Sequence, residues 1–177
     1  MRLILVSFIS IMLAFLLCFG TSCYYAYFYP VKYEEIVYAN SRKYEISPEI
    51  IASIINVESG YKENSLSNKG AVGLMQILPS TAQWISSKIG LNYESLYSPE
   101  VNIEFGTFYL SYLLECFEDI DLAICAYNAG QGNVNRWLST KEYSADGKSL
   151  NKIPFKETRE YLSKVKKNMK IYKNKFN

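Results

Sequence analysis

Glu58 closes an apolar series, Ile51, Ile54 and Ile55, at the helical spacing i, i+3, i+4, i+7. A carboxyl on a core-facing stripe, in the last turn of a helix, meets two effects of one sign. Desolvation disfavours its charged form, and so does the negative end of the helix dipole. A glutamate so placed keeps its proton toward neutral pH and can act as a general acid. The alternative, for the stripe taken alone, is a rim position from which Glu58 swings into water; the motifs that follow it favour the first placement. Tyr127 offers an apolar ring and a hydroxyl, suited to packing beside that carboxyl and donating to it, or simply to filling core. Ser67, Gly70 and Gly73 read as turn residues or as points where backbone approaches a ligand. Gln76 suits a bond to backbone or to a ligand amide. Asn128 reads first as fixing local backbone, and Glu157, in the first turn of its helix, as a dipole partner.

The chain has no histidine. Ser-His-Asp and Cys-His nucleophiles, His-ligated zinc and His general bases are therefore excluded together. Acid-base chemistry must come from Glu, Asp, Lys, Tyr or Cys.

The elements that position these residues are legible in order. Ser47 as N-cap and Pro48 in the first turn open the Glu58 helix, and Gly60 ends it, with Asn56 and Glu49 on other faces. Val31 to Tyr44 reads as a short amphipathic helix with Ile36, Val37 and Tyr44 inward. Residues 61–77 lack helical period and read as an ordered loop with room for a small hairpin. Pro79 opens a helix to Ile89, closed by Gly90. Ser98-Pro99 repeats the start signal, and the long helix that follows carries Val101, Phe105, Phe108, Tyr109, Tyr112 and Leu113 inward. Ile120 to Ala129 is another helix, closed by Gly130 and followed by a short one through Trp137. Thr140 to Lys152 is polar loop. Pro154 begins the last helix, with Leu162, Val165, Met169 and Tyr172 inward and seven basic residues from Arg159 to Lys175 on mainly solvated faces. The expected class is predominantly α.

Leu3 to Cys23 is an apolar run without a charged side chain, long enough to span a bilayer. It lacks an A-x-A-like cleavage site, and the Tyr24, Tyr25, Tyr27, Phe28, Tyr29 cluster after it resembles an interfacial aromatic belt. The expected organisation is an N-terminal transmembrane helix with its flank over residues 1–29 and a catalytic domain over 30–177. Arg2 places the N-terminus in the cytoplasm and the domain outside it, as a single-pass membrane protein; secretion after signal cleavage is the second reading, and lipidation at Cys18 or Cys23 the third. All 17 acidic residues and all but one of the 19 basic ones lie beyond the anchor, so charge singles out no partner there. Cys116 and Cys125, both in apolar helical patterns, read as unpaired buried thiols rather than a disulfide.

A series of motifs carries a resemblance. Glu58-Ser59-Gly60 is followed by Ser67, by Gly73-Leu74-Met75-Gln76-Ile77, and by Pro79-Ser80-Thr81-Ala82. Then come Asn102-Ile103 with Gly106, Ala126-Tyr127-Asn128-Ala129-Gly130, and Glu157-Thr158-Arg159 with Tyr161. Over about residues 33 to 166 this order resembles the catalytic domain of the soluble lytic transglycosylases, which implies a lysozyme-like fold related to goose-type lysozyme. The resemblance implies Glu58 as the catalytic glutamate, Ser67 near the reacting sugar and Gln76 on the cleft wall. It implies Tyr127 close to the catalytic carboxylate and Glu157 as a strand-binding glutamate; Asn128, inside its motif, joins the substrate-binding set. Leu78, where many members have Met, and Cys125, before the Ala-Tyr-Asn run, are mild departures.

The implied activity is cleavage of the MurNAc–GlcNAc β-1,4 bond of peptidoglycan with one Glu as acid and base and a 1,6-anhydro-MurNAc product, without cofactor or metal. Trp84 and Trp137 are then candidates for stacking on sugars, or for rim and core packing. The expected partners are glycan strands and, through the N-terminal helix, the membrane. Nucleic acid is not among them, and the chain is expected to be a monomer. The alternatives are a lysozyme-type hydrolase, with an acidic side chain such as Glu63 positioning water, and a non-catalytic wall-binding or secretion-associated scaffold.

Overall fold

The computed structural model describes residues 2–176, with side chains from residue 11 onward. The side chain of Arg2, on which the expected membrane orientation rests, lies outside the described residues. Contacts divide the chain into two units, residues 1–32 and 33–177.

The first unit is helix α1 (Arg2–Phe28). Its stretch Ile11–Phe28 has a mean hydropathy of 1.6 and none of it is buried, so it is long and apolar enough to cross a membrane. Tyr24, Tyr25, Tyr27 and Phe28 ride on the last turns of the helix rather than following it. A continuous helix keeps every backbone amide bonded within the segment, as a hydrocarbon environment demands.

The second unit is built, among the described residues, from seven helices: α2 (Glu34–Tyr44), α3 (Pro48–Ser59), α4 (Pro79–Ile89), α5 (Pro99–Phe117), α6 (Ile120–Ala129), α7 (Gln131–Leu138) and α8 (Lys156–Lys173). Among the described residues the only β-type pairings are isolated bridges. α2 starts later than its sequence pattern because Tyr33 adopts a left-handed conformation (φ 58°) that no helix continues. α3 is the axis of the unit. Gly60 turns left-handed and returns its N–H to the Asn56 carbonyl at 3.0 Å, which ends the helix.

Ile51, Ala52, Ile54 and Ile55 are fully enclosed, and Ser53 and Ser59 are buried as well, donating to the Glu49 and Ile55 carbonyls. α3 is thus covered on more than the one stripe its isoleucines mark. The reason is that α8 packs along it and α2 closes another side.

Two inward faces differ from expectation. On α8 the buried residues are Thr158, Tyr161, Val165, Asn168 and Tyr172, while Leu162 and Met169 are half-buried. The face is turned by one residue because the tyrosine hydroxyls find polar partners on α3: Tyr161 reaches Glu58, and Asn56 donates to Tyr172 at 2.8 Å. On α5 the enclosed apolar residues are Ile103, Phe105, Leu110 and Leu113. Phe108, Tyr109 and Tyr112 are only half-buried and line up against Trp84 of α4. Cys125 is buried and burial pushes its thiol up to about 12, whereas Cys116 is exposed, because the last turn of α5 runs out into solvent.

The segment between α3 and α4 has no regular structure, yet Leu74 and Met75 within it are fully enclosed. It is held by Asn102 of α5, itself fully buried. The Asn102 side-chain oxygen accepts from the Met75 N–H at 2.7 Å, and its amide donates to the Val72 and Leu96 carbonyls at 2.9 and 2.8 Å. Gly73 turns past this carboxamide at φ +81°, where a Cβ would overlap Asn102 Nδ2 and sit 2.7 Å from both Asn102 Cγ and the Leu96 carbonyl oxygen. Asn102→Ala takes away the carboxamide partner of the Met75 N–H and the Leu96 carbonyl, and leaves the Val72 carbonyl with the Ile77 N–H alone. It is expected to lower the unfolding free energy by about 3 kcal/mol, measured by urea denaturation; a loss under about 1 kcal/mol would show that the segment is held by something else.

Candidate active site

Glu58 lies in the last turn of α3, where the helix reaches a cavity of about 360 Å³. The cavity is also lined by Ser67, Asn68, Lys69, Ala71, Gln76 and Leu78 from the segment before α4, by Tyr127 and Asn128 of α6, and by Glu157 of α8. All six residues singled out in the sequence therefore meet in one place, although three helices and a loop supply them.

Burial raises Glu58 from an ordinary carboxyl value to about 7. The hydroxyl of Tyr161 donates to Glu58 Oε1 at 2.7 Å, which favours the charged form and opposes the rise; the charge of Glu157 adds to it. Desolvation wins, so the carboxyl holds its proton for much of the time at neutrality. Burial also raises the phenols of Tyr127 and Tyr161 well above the usual tyrosine value, with the Glu58 charge acting in the same direction. Both rings remain neutral hydroxyl donors.

The donor to Glu58 is not the one the sequence pointed to. Tyr127 gives its hydroxyl to the Met75 carbonyl at 2.9 Å, while Tyr161 takes the place expected of Tyr127. Tyr127 forms the wall beside Glu58 and fixes the Gly73–Ile77 turn from across the cavity. Tyr161 belongs to the Glu157-Thr158-Arg159 run that the sequence marks. Its position four residues after Glu157, on the same helix face, is the signal that could have found it.

The remaining side chains are held by local bonds. Gln76 has a left-handed backbone (φ 51°), unusual for a side chain of its size, and its amide donates to the Ser65 and Gly73 carbonyls at 3.2 and 2.8 Å. Ser67 closes a turn: its Oγ accepts from the Ala71 N–H and its own N–H donates to the Ala71 carbonyl, both at 2.9 Å. Asn128 Oδ1 accepts from the Thr158 hydroxyl at 2.8 Å, tying α6 to α8. Leu78, 40% exposed, is cleft wall rather than core filling. Glu63 does not line the cavity, and its carboxylate accepts from the Tyr33 hydroxyl. Trp137 is buried, with its ring 5.0 Å from that of Phe155.

A protonated carboxyl, steadied on one oxygen by a neutral phenol and facing an open cleft, is the arrangement of a general acid. The family model described as the transglycosylase SLT domain matches residues 35–150, and the chain belongs to that family. The chain is 35% identical over 143 residues to the soluble lytic murein transglycosylase of Salmonella typhimurium, covering 77% of this chain and 22% of that protein. It is 32% identical over 168 residues to the membrane-bound lytic murein transglycosylase C of Glaesserella parasuis, covering 81% of this chain and 46% of that one. Among solved structures, an inactive mutant of the lytic transglycosylase Slt from Pseudomonas aeruginosa superposes with a TM-score of 0.75 at 32% identity. That match covers 84% of this chain and 25% of the other. The fold is thus lysozyme-like and predominantly α, and the chain spans about a quarter to just under half the length of these relatives.

The balance at Glu58 has a stability consequence. Its folded-state value lies above its unfolded one, so between about pH 4.5 and about pH 7 the folded chain holds a proton that the unfolded chain releases. Stability contributed by the protonated group therefore falls as pH rises through that window. Melting temperatures of wild type and Glu58→Gln, compared across it, are expected to diverge, with the wild type losing ground toward pH 7. Tyr161→Phe removes the bond favouring the charged form and is expected to move the upper end of the window to higher pH. Parallel melting curves for wild type and Glu58→Gln would contradict the buried-carboxyl assignment.

Proposed function

We propose that residues 30–177 form a peptidoglycan lytic transglycosylase in which Glu58 is the single acid-base residue. The observation that carries this reading is the Glu58 carboxyl, raised to about 7 and steadied by Tyr161 at the edge of a cavity able to take a sugar. Family membership and relatives named lytic murein transglycosylases support the choice of peptidoglycan.

In this reading Glu58 protonates the oxygen linking MurNAc to GlcNAc. The bond to C1 of MurNAc breaks, and the N-acetyl carbonyl of the same sugar stabilises the cationic centre. Glu58, now a carboxylate, takes the proton of the C6 hydroxyl, and that oxygen closes onto C1 to give a 1,6-anhydro ring. The proton donated first is recovered last, and no water is consumed. One carboxyl is enough because the substrate brings its own nucleophiles, unlike glycosidases that pair two carboxylates. Tyr161 holds Oε1 and leaves the other oxygen to face the sugar. Tyr127, Ser67, Gln76 and Asn128 shape the wall, and Glu157 keeps negative charge near the developing cation.

Digestion of purified sacculi tests the assignment. Mass spectrometry is expected to find muropeptides ending in 1,6-anhydro-MurNAc, one water lighter than hydrolytic products; reducing-end MurNAc as the main product would move the chain to the hydrolases. Turnover is expected to fall as pH rises past about 7, where Glu58 loses the proton it must give. Glu58→Gln is expected to lose about 1,000-fold or more in turnover while still binding strands, whereas Glu49→Gln, outside the cavity, is expected to stay active.

The same proposal carries α1 as an uncleaved anchor with the domain outside the cytoplasm. The intact chain is expected to sediment with membranes and to be released by detergent but not by high salt; a soluble chain lacking its first residues on N-terminal sequencing would replace the anchor with a signal peptide.

A further inference from the structure

Charge is divided unevenly along the second unit. Residues 33–163 carry 11 basic and 17 acidic side chains, whereas residues 164–175 carry six lysines and no acid. The bulk of the unit is therefore net negative, and the positive charge that balances it is gathered at one end of α8. Lys164, Lys166, Lys167, Lys170 and Lys173 are all exposed. Lys166 pairs with Asp121 at 2.6 Å, and the other four form no ion pair among the described residues.

The helix sets these charges against one another. Lys164, Lys167, Lys170 and Lys173 follow at intervals of three residues, where like charges repel. The negative end of the helix dipole compensates Lys170 and Lys173 in the last turn, but not Lys164 and Lys167 near the middle. The buried stripe of Thr158, Tyr161, Val165, Asn168 and Tyr172 packs toward α3, which leaves Lys167 and Lys170 on the opposite side of α8. A hollow of about 250 Å³ beside them is lined by Lys166, Lys170, Lys173, the half-buried Met169 and, from α3, Glu49. Lysine stems and a thioether give it apolar surface beneath charged heads. A lipid surface answers both, with phosphates for the heads and acyl chain for the stems; a soluble polyanion answers only the first.

Two further observations favour a membrane. Residues 29–33 alone join α1 to α2, a link of at most about 20 Å when fully extended. With α1 in a bilayer, so short a link keeps the second unit at high effective concentration beside the headgroups. Glu157, in the first turn of α8, lines the Glu58 cavity, and Lys173 ends the same helix, roughly 24 Å away along its axis. A surface can meet the lysine end without covering the cavity.

We propose that the lysine end of α8 is a docking face for anionic lipid headgroups, which holds the catalytic unit on the membrane that α1 enters while the Glu58 cavity stays open. The inference rests on the reading of α1 as an anchor and adds to it a second, electrostatic attachment.

The test uses the intact chain in vesicles of phosphatidylcholine, alone or with about one-third phosphatidylglycerol, labelled with a membrane-impermeant amine reagent and read lysine by lysine by mass spectrometry. In the anionic vesicles Lys164, Lys167, Lys170 and Lys173 are expected to react about fivefold more slowly than in the neutral ones. High salt is expected to erase the difference. Lys88 and Lys141, exposed elsewhere on the unit, are expected to react alike in both. Changing the four α8 lysines to Gln is expected to remove the protection of Lys166, and changing them to Arg to keep it. Equal labelling of the wild-type α8 lysines in both vesicles would overturn the docking face, whatever the variants do. Full protection of the chain in neutral vesicles by linear polyphosphate at matched phosphate concentration would also overturn it, and would assign the face to a soluble polyanion. Carbonate washing of the same vesicles tests α1 by itself: a chain that it strips overturns the anchor, while the labelling still decides the lysine face.

Discussion

The carboxamide of Asn102 ties three points of backbone together: the Met75 N–H and the Leu96 carbonyl, and the Val72 carbonyl that also accepts from Ile77. Beyond it, the segment from Tyr61 to Leu78 is defined by two isolated bridges, a few turns, the Tyr127 hydroxyl on Met75 and the local bonds of Ser67 and Gln76. Yet this segment supplies most of the wall facing Glu58. Two glycines record how tightly it is drawn in. Gly73 leaves room for the carboxamide itself, and Gly106 leaves room for Met75, since a Cβ there would come within 2.7 Å of the methionine Cβ. Leu74 and Met75 then anchor the turn in the core, while Gln76 at its tip turns to the cavity. A loop with little secondary structure is held by the three bonds of one buried carboxamide, the Tyr127 hydroxyl and close packing over two glycines.

At Glu58 the physics runs in opposite directions on purpose-built supports. Burial on a helix of isoleucines raises the carboxyl, and the Tyr161 hydroxyl pulls it back. Had Tyr127 also donated to Glu58, a second bond to the charged form would have worked further against the rise. Instead Tyr127 spends its hydroxyl on the Met75 carbonyl, so the ring lends apolar surface to Glu58 and its polarity to the loop. One phenol for orientation and one ring for desolvation give a carboxyl that is both fixed and readily protonated.

Much of this was legible in the chain because punctuation is local. Pro48, Pro79 and Pro99 open helices and Gly60, Gly90 and Gly130 close them, and each acts through its own backbone. That six candidate residues would share one cavity was legible through motif order, which records a proximity that spacing alone does not. What escaped is what depends on distant partners. The inward face of α8 is set by where α3 presents Glu58 and Asn56, so Tyr161 displaces Leu162 from the place a hydrophobic period assigns. Asn102 looks like an ordinary polar residue until the segment it holds, about 30 positions away, is seen against it. Phe108, Tyr109 and Tyr112 read as core because they are aromatic, and are half-buried because α4 covers that side of α5 only through Trp84.

The placement of the acid also explains why it sits on the best-packed helix. A carboxyl raised to about 7 is a liability at any pH where the unfolded chain would be ionised, since folding must hold a proton or bury a charge. That cost is bearable only where burial elsewhere is deep, and α3 is the helix with Ile51, Ile54 and Ile55 fully enclosed and α8 along its length. The walls beside α3 are built differently. They are drawn from α4, α6 and α7 and from the half-buried face of α5, where partly exposed rings and amides cost the core little. A raised carboxyl on the deeply packed α3, facing walls of half-buried rings and amides, follows from one constraint: desolvation is concentrated at Glu58 and relaxed around it.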